Sequence, residues 1–202
     1  MIMKAQKQRE TFIAHSLNRG FENAAQSFSK IVNRNIRIST LQSLVIRHDT
    51  DFSYVSEGDE QVFVLITQLM GDFSGKSYLI FSQSEADEIF RSVASKGKFS
   101  DDLKEALLLE IDNILSASVI SSISDSMNAV VYGDVPKLKK MHGKDLYDYF
   151  LNDASESNEH FSIVYSMANF RFDNHEEVHP QFIWKLSSRI FDLIPEEKAA
   201  GV

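Results

Sequence analysis

No cysteine occurs among the 202 residues. That absence excludes disulfides, thiolate metal sites and a cysteine nucleophile, and it agrees with a reducing compartment. Basic residues are the smaller charge class, 21 Lys and Arg against 29 Asp and Glu, for a formal charge of −8. A broad nucleic-acid or anionic-membrane surface needs clustered Lys and Arg, so neither is expected, and a cationic or metal-loaded partner face fits better. Long apolar runs are missing too. Nothing approaches the roughly 18 consecutive apolar residues of a membrane helix, and no apolar signal core follows the opening MIMKAQKQRE. The chain therefore reads as a soluble cytoplasmic protein without membrane insertion. With 43% hydrophobic and 25% charged residues it can bury a sizeable core. No linker rich in Gly, Pro or Ser divides it, so one domain over residues 1–202 is expected.

Helical periodicity dominates two long stretches. From about Lys7 to Val32, the residues Ile13, Leu17, Phe21, Ala24, Phe28 and Ile31 form one apolar stripe, and Asn33 and Asn35 end it. From near Ser100 to about Met127, the buried side is supplied by Leu103, Leu107, Ile111, Ile114, Ile120 and Ile123. Short extended runs are expected at Ile36–Ile38 and Ser43–Ile46. A hairpin is expected from Gln61–Leu69 and Ser77–Phe81 across the glycine-rich turn Gly71–Lys76. A helix should start at Ser84, capped by its hydroxyl and helped by Glu85 and Asp87 in the first turn. After the second long helix come a strand at Asn128–Tyr132, a short helix at Lys144–Leu151 and a loop at Asn152–Glu159. A second hairpin, Phe161–Phe172 with Gln181–Leu186, precedes a last helix at Ser187–Leu193, stopped by Pro195.

The order long helix, strands, hairpin, short helix occurs twice. Shifting the second half back by 95 residues places Asn113 on Asn18, Ile123 on Phe28, Asn128 on Asn33, Val131 on Ile36 and Pro136 on Leu41. A duplication follows, with one repeat over about 7–96 and the other over about 100–195, after a small insertion in the second. The expected fold is α+β: two pseudo-symmetric repeats, an antiparallel sheet and two long exposed helices.

On the second long helix, Glu110 and Asn113 stand three residues apart and share a face. Asp102, Ala106 and Ala117 lie near the same stripe, which is polar or small, while the opposite one is Leu and Ile. A carboxylate and an amide flanked by alanines can approach a partner closely. Neither is a strong base or nucleophile at neutral pH, so they suit placing a water and holding a cation rather than covalent catalysis.

These residues resemble the CheC/CheX family of chemotaxis proteins, whose signature reads Asp or Ser, three residues, Glu, two residues, Asn, twenty-two residues, Pro. Glu110, Asn113 and Pro136 stand at that spacing, and Leu109–Leu115 and Asn18–Ala25 resemble the family's two helix texts. The opening position of the signature is Ala106. In the first half the pattern falls on Thr11, His15, Asn18 and Leu41, so the Glu has become His15 and the Pro has become Leu41. The resemblance implies a CheC-like domain with one working site and a degenerate first site at His15 and Asn18. It implies hydrolysis of the aspartyl phosphate of a CheY response regulator, with Asn113 orienting the attacking water and Glu110 docking the partner's Lys. It implies no cofactor of the chain's own, the Mg²⁺ being carried by CheY. Phosphoryl transfer rests on positioning and charge stabilisation, a task an amide can perform. Ala106 and the altered first site motivate an alternative, a non-catalytic adaptor for CheY-phosphate or the deamidase CheD. A homodimer is a further expectation. A flagellar switch component of the FliY type ranks last, because the sequence stops soon after Pro195, without room for a further switch domain.

Other signals carry less. His175-Glu176-Glu177-Val178-His179 has the letters of a zinc-protease motif, but Asp173-Asn174 before it and Pro180 after it predict a hairpin loop, not a helix with both His on one face. Gly71–Ser77 is one residue short of a P-loop and joins strand to strand. The Ser residues at 116, 118, 121 and 122 have no paired His, and Trp184 reads as core.

Overall fold

The structure, a computed structural model, describes residues 2–47, 58–93, 100–155, 161–172 and 177–195. It contains four α-helices and eight strands among these residues: α1 (Ile2–Val32), β1 (Arg37–Arg47), β2 (Gln61–Gly71), β3 (Gly75–Ser82), α2 (Gln83–Val93), α3 (Asp101–Met127), β4 (Val131–Gly133), β5 (Lys137–His142), α4 (Leu146–Ser155), β6 (Phe161–Arg171), β7 (Glu177–Val178) and β8 (Gln181–Ser187). Short 3₁₀ turns cover Gly143–Asp145 and Ser188–Asp192. The α+β class and the antiparallel sheet agree with the sequence.

Strands run in the order β1-β6-β8-β3-β2-β4, with β5 continuing beside β2 and β7 beside β6. The pairs are antiparallel. This order is a palindrome in the two halves. Each half contributes a central hairpin, β2–β3 or β6–β8, and its first strand crosses to the outer edge of the other half's hairpin.

Strand alternation sorts the core into two layers. Phe63, Leu65, Leu69, Leu79, Phe81, Phe170, Phe182 and Trp184 face α1 and α3. Val62, Val64, Tyr78, Ile80, Ile163, Tyr165 and Ile183 face the other way, under Leu146 and Phe150 of α4. Asp153 ties α4 down by accepting from Lys76, from Lys185 Nζ at 2.8 Å and from Tyr78 Oη at 2.7 Å. Burial works to raise the Asp153 carboxyl, but the hydrogen bonds from Lys185, Lys76 and Tyr78 outweigh it and hold it below the usual carboxylate range.

On α1, Ile13, Leu17, Phe21, Ala24 and Phe28 are buried as the stripe predicts, whereas Ile31 is 54% exposed. On α3, Leu103 is likewise exposed, at 52%. Both lie near a helix end, where the period continues past the edge of the sheet. By length and composition α3 is apolar enough to cross a membrane, but 56% of its apolar window is buried inside the protein. Gly20 of α1 sits so close to Val119 of α3 that a Cβ would lie 2.5 Å from the Val119 Cα. Earlier turns of α1 share a groove with Ser126, so the helices run antiparallel. Gly20→Ala is therefore expected to wedge them apart, lowering stability by roughly 1–3 kcal/mol in urea unfolding. An unchanged midpoint would show that the helices separate freely.

The two long helices end alike. Asn33 and Asn128, 95 residues apart, are the non-glycine residues with positive φ among the described ones, at 51° and 54°. Each turns the chain so that the next amide reaches back: Arg34 N–H donates to Ser29 O at 3.1 Å, and Ala129 N–H to Ser124 O at 3.0 Å. The same serines then bond forward. Ser29 Oγ donates to Ile36 O at 3.1 Å and Ser124 Oγ to Val131 O at 3.3 Å.

Several expected boundaries move: the strand expected at Asn128–Tyr132 is β4 at Val131–Gly133, because Asn128 is the left-handed cap of α3. The two runs expected at Ile36–Ile38 and Ser43–Ile46 merge into one strand, β1, which begins at Arg37 and carries a bulge between Thr40 and Gln42. The cap of α2 is Ser82, not Ser84: Glu85 N–H donates to Ser82 Oγ at 3.2 Å while Ser82 N–H donates to Glu85 Oε2 at 2.9 Å, a reciprocal capping box. The stretch Asn152–Ser155 is the end of α4 rather than loop, and Ser188–Asp192 is a 3₁₀ turn. Strand β5 was not expected at all.

Candidate functional site

Signals at both ends of α3 fix its frame. Ser100 Oγ accepts from Leu103 N–H at 3.3 Å, with Asp101 and Asp102 in the positive first turn, and left-handed Asn128 closes the other end. Between them, Leu108, Ile111, Leu115, Val119, Ile120 and Ile123 point into the core. That burial leaves Asp102, Ala106, Glu110, Asn113, Ala117 and Ser121 exposed along one line. Glu110 and Asn113 thus lie where the sequence puts them, on the water-facing stripe. Neither forms a hydrogen bond or ion pair with any described residue.

The chain after α3 passes beside this stripe. Ser124 Oγ holds Val131 O, a Cβ on Gly133 would meet the Ile120 Cδ1 at 3.0 Å, and Lys140 Nζ pairs with Glu105 at 2.5 Å. These three contacts run β4 and β5 antiparallel to α3, so Pro136 falls alongside the Glu110–Asn113 turn. Gly133 pairs with Leu69 and Lys137 with Ile66, leaving Asp134, Val135 and Pro136 opposite only Thr67 and Gln68. Proline has no N–H for the ladder, and it occupies this bulge. In the first half, Leu41 is the extra residue of the bulge in β1. The two positions match, but β1 runs on through its bulge while the proline splits β4 from β5.

The first-half counterparts are built differently. His15 is exposed, and Asn18 is half-buried, its Oδ1 accepting from Thr40 Oγ1 at 2.5 Å. The residue corresponding to Thr40 is Val135, which is 75% exposed and offers no hydroxyl. Among the described residues Asn113 therefore keeps its amide free, whereas the Asn18 carbonyl is engaged.

Beneath the stripe lies a group that sequence reasoning passed over. Asp112, between Ile111 and Asn113, is fully buried. Thr67 Oγ1 donates to its Oδ2 at 2.7 Å and Ser116 Oγ to its Oδ1 at 3.1 Å. Ser77 Oγ lies 3.2 Å from Ser116 Oγ and donates to it, since the Ser116 proton is already committed. Burial raises the Asp112 carboxyl to about 6, against the opposing pull of the Thr67 and Ser116 hydroxyls. The signal was present as a charge on the Leu/Ile side of the helical wheel, next to a pair that drew attention to the other side.

The zinc-like motif is not helical where it is described. Glu177–Val178 is strand β7, paired with Phe170 and Arg171, and His179 N–H donates to Glu85 Oε1 at 2.9 Å. His175 and Glu176 lie outside the described residues. No three His, Asp or Glu side chains gather as metal ligands among the described residues.

No family model matches the sequence. A curated relative, the CheY-P phosphatase CheC of Bacillus subtilis, is 21% identical over 153 residues, covering 73% of each chain. Among solved structures, Thermotoga maritima FliY superposes with a TM-score of 0.67 at 13% identity, over 95% of this chain and 96% of that one. The chemotaxis protein CheX of Desulfovibrio desulfuricans gives 0.53 at 12% identity, over 87% and 99%. The resemblance to the CheC/CheX family is borne out, in sequence by the first and in fold by the other two.

Proposed function

We propose that this chain, a CheC-like protein of the chemotaxis type by sequence resemblance and fold, hydrolyses the aspartyl phosphate of a CheY response regulator through Glu110 and Asn113. One observation carries the proposal: these two side chains are exposed on one face of a core-anchored helix, unpartnered among the described residues, and close to the Pro136 bulge. In this reading the Asn113 amide enters the partner's site and orients the attacking water. Glu110 pairs with the partner's Lys and fixes the dock. The partner brings the acyl phosphate and its Mg²⁺, and this chain supplies position and dipole. A cytoplasmic location goes with that partner. The domain is read as one unit of two repeats, about 7–96 and 100–195, supported by the matched helix ends and the palindromic sheet. The test is phosphate release from purified phosphorylated CheY with and without this chain. Acceleration is expected, and its absence on every cognate CheY would overturn the reading.

One observation favours a second reading, an adaptor without catalysis. Ala106 stands where the signature has an acidic or hydroxyl residue. Such a protein would bind phosphorylated CheY, or CheD, and leave the phosphate's lifetime unchanged. Pull-down combined with the release assay separates the two.

The histidines of the zinc-like motif belong to neither reading. Replacing His175 and His179 together by Ala is expected to leave phosphate release within about twofold of the parent rate, because the β7 segment is extended and distant in sequence from α3. Complete loss with intact circular dichroism would move the chemistry to that segment.

A further inference from the structure

Asp112 costs the fold something, and the first half shows the fold does not need it. The residue corresponding to Asp112 is Leu17 and that corresponding to Ser116 is Phe21, both fully buried against the same sheet. Phe21 stacks on Phe182 with ring centroids 5.4 Å apart. An apolar pair one turn apart thus seats α1, while a carboxylate and a hydroxyl seat α3. Apolar contact is non-directional, so the Leu17–Phe21 pair by itself specifies the helix rotation less strictly than a hydrogen-bonded pair does. Hydrogen bonds are directional, and a buried polar group with a single set of partners selects one arrangement. The polar pair occurs in the half that carries the exposed Glu110 and Asn113, immediately beside Asn113 in the chain.

We propose that Asp112 is the positioning residue of the Glu110–Asn113 pair, pinning α3 to β2 through Thr67 and to β3 through Ser116 and Ser77. Thr67 stands opposite the Asp134–Pro136 bulge, and its Cγ2 would touch a Cβ on Gly133 at 2.9 Å. The pin therefore also sets α3 against the segment that flanks Asn113. Helix rotation, height and the Pro136 bulge are referred to one buried carboxylate. The inference rests on the reading of Glu110 and Asn113 as the working pair.

The experiment compares Asp112→Leu, which copies the first half, with Asp112→Asn, which keeps an acceptor for Thr67. Asp112→Leu is expected to fold, with unchanged circular dichroism, yet to lose roughly 10–100-fold in the maximal rate of phosphate release, the cost of a small misplacement of reacting groups. The CheY-phosphate concentration for half-maximal rate should change little, and Asp112→Asn should recover most of the rate. A second readout does not depend on activity: ¹⁵N relaxation of the Asn113 backbone and side-chain amides, expected to show added motion in Asp112→Leu and not in Asp112→Asn. Should Asp112→Leu fail to fold, Thr67→Val removes the same bond from the sheet side and is expected to show the same two changes, smaller in size. If the parent protein releases no phosphate, the functional reading fails and relaxation alone decides the pin. Unchanged Asn113 motion in folded Asp112→Leu and in Thr67→Val overturns the proposal.

Discussion

Asn113→Ala is expected to abolish acceleration of CheY dephosphorylation, a loss of roughly 10²–10³ in rate, while Asn18→Ala changes it little. The magnitude is that of removing one water-positioning or electrostatic contact in a preorganised site. The asymmetry comes from geometry. Both asparagines stand on long helices at matching positions, but the Asn18 carbonyl already accepts from Thr40, and Val135 leaves Asn113 without such a partner. Three residues before Asn113 stands Glu110, able to accept from a partner's Lys. Three residues before Asn18 stands His15, which accepts nothing when charged and only weakly when neutral. Phosphate release from radiolabelled CheY, measured for both variants beside the parent, decides it. Greater damage from Asn18→Ala would move the working site to the first half.

The pH-dependent part of the folding stability carried by Asp112, on the order of 3 kcal/mol between pH 4 and pH 8, is expected to be absent in Asp112→Asn. The carboxyl rises from 3.8 to about 6 on folding, and each unit corresponds to about 1.4 kcal/mol. The sign follows from linkage. A raised carboxyl binds its proton more tightly in the folded state, so ionisation penalises folding, fully above pH 6 and not at all below the unfolded value. The parent should gain stability from this group as pH falls from 7 toward 4, and the variant should lack that gain. Urea unfolding of both proteins at pH 4, 6 and 8 measures it. A difference of constant size across that range would mean that Asp112 does not titrate there.

How much of this was legible in the sequence depends on which physical signal each element emits. The long helices were, because Ile13, Leu17, Phe21 and Phe28, and Ile111, Ile120 and Ile123, repeat at the helical period. So were the central hairpins, buried on both faces and therefore mostly apolar. Strand β5 was not, because it is an edge strand facing water whose Lys137, Lys139 and Lys140 hide the extended pattern, as charges on an edge discourage further pairing. Ile31 and Leu103 were misplaced because periodicity does not say where the sheet beneath a helix ends. The exposed stripe of Glu110 and Asn113 was legible from their helical spacing. Its support was not, since Asp112 bonds to a strand 45 residues earlier in the chain, a distance no local pattern encodes. The engagement of Asn18 by Thr40 was hidden for the same reason.

The exchange of first strands between the halves bears on how the chain comes off the ribosome. When β1, β2 and β3 have emerged, β1 has no strand to join, because its neighbour β6 is not yet made. The outer edge of β2 is open until β4 and β5 arrive, and β3 waits for β8, the last strand of the described chain. No intermediate length closes a sheet. Most of the long-range pairing can therefore form only once β6 and β8 have been made, a topology that folds slowly and as a whole. Until then the bare edges are open to neighbouring chains.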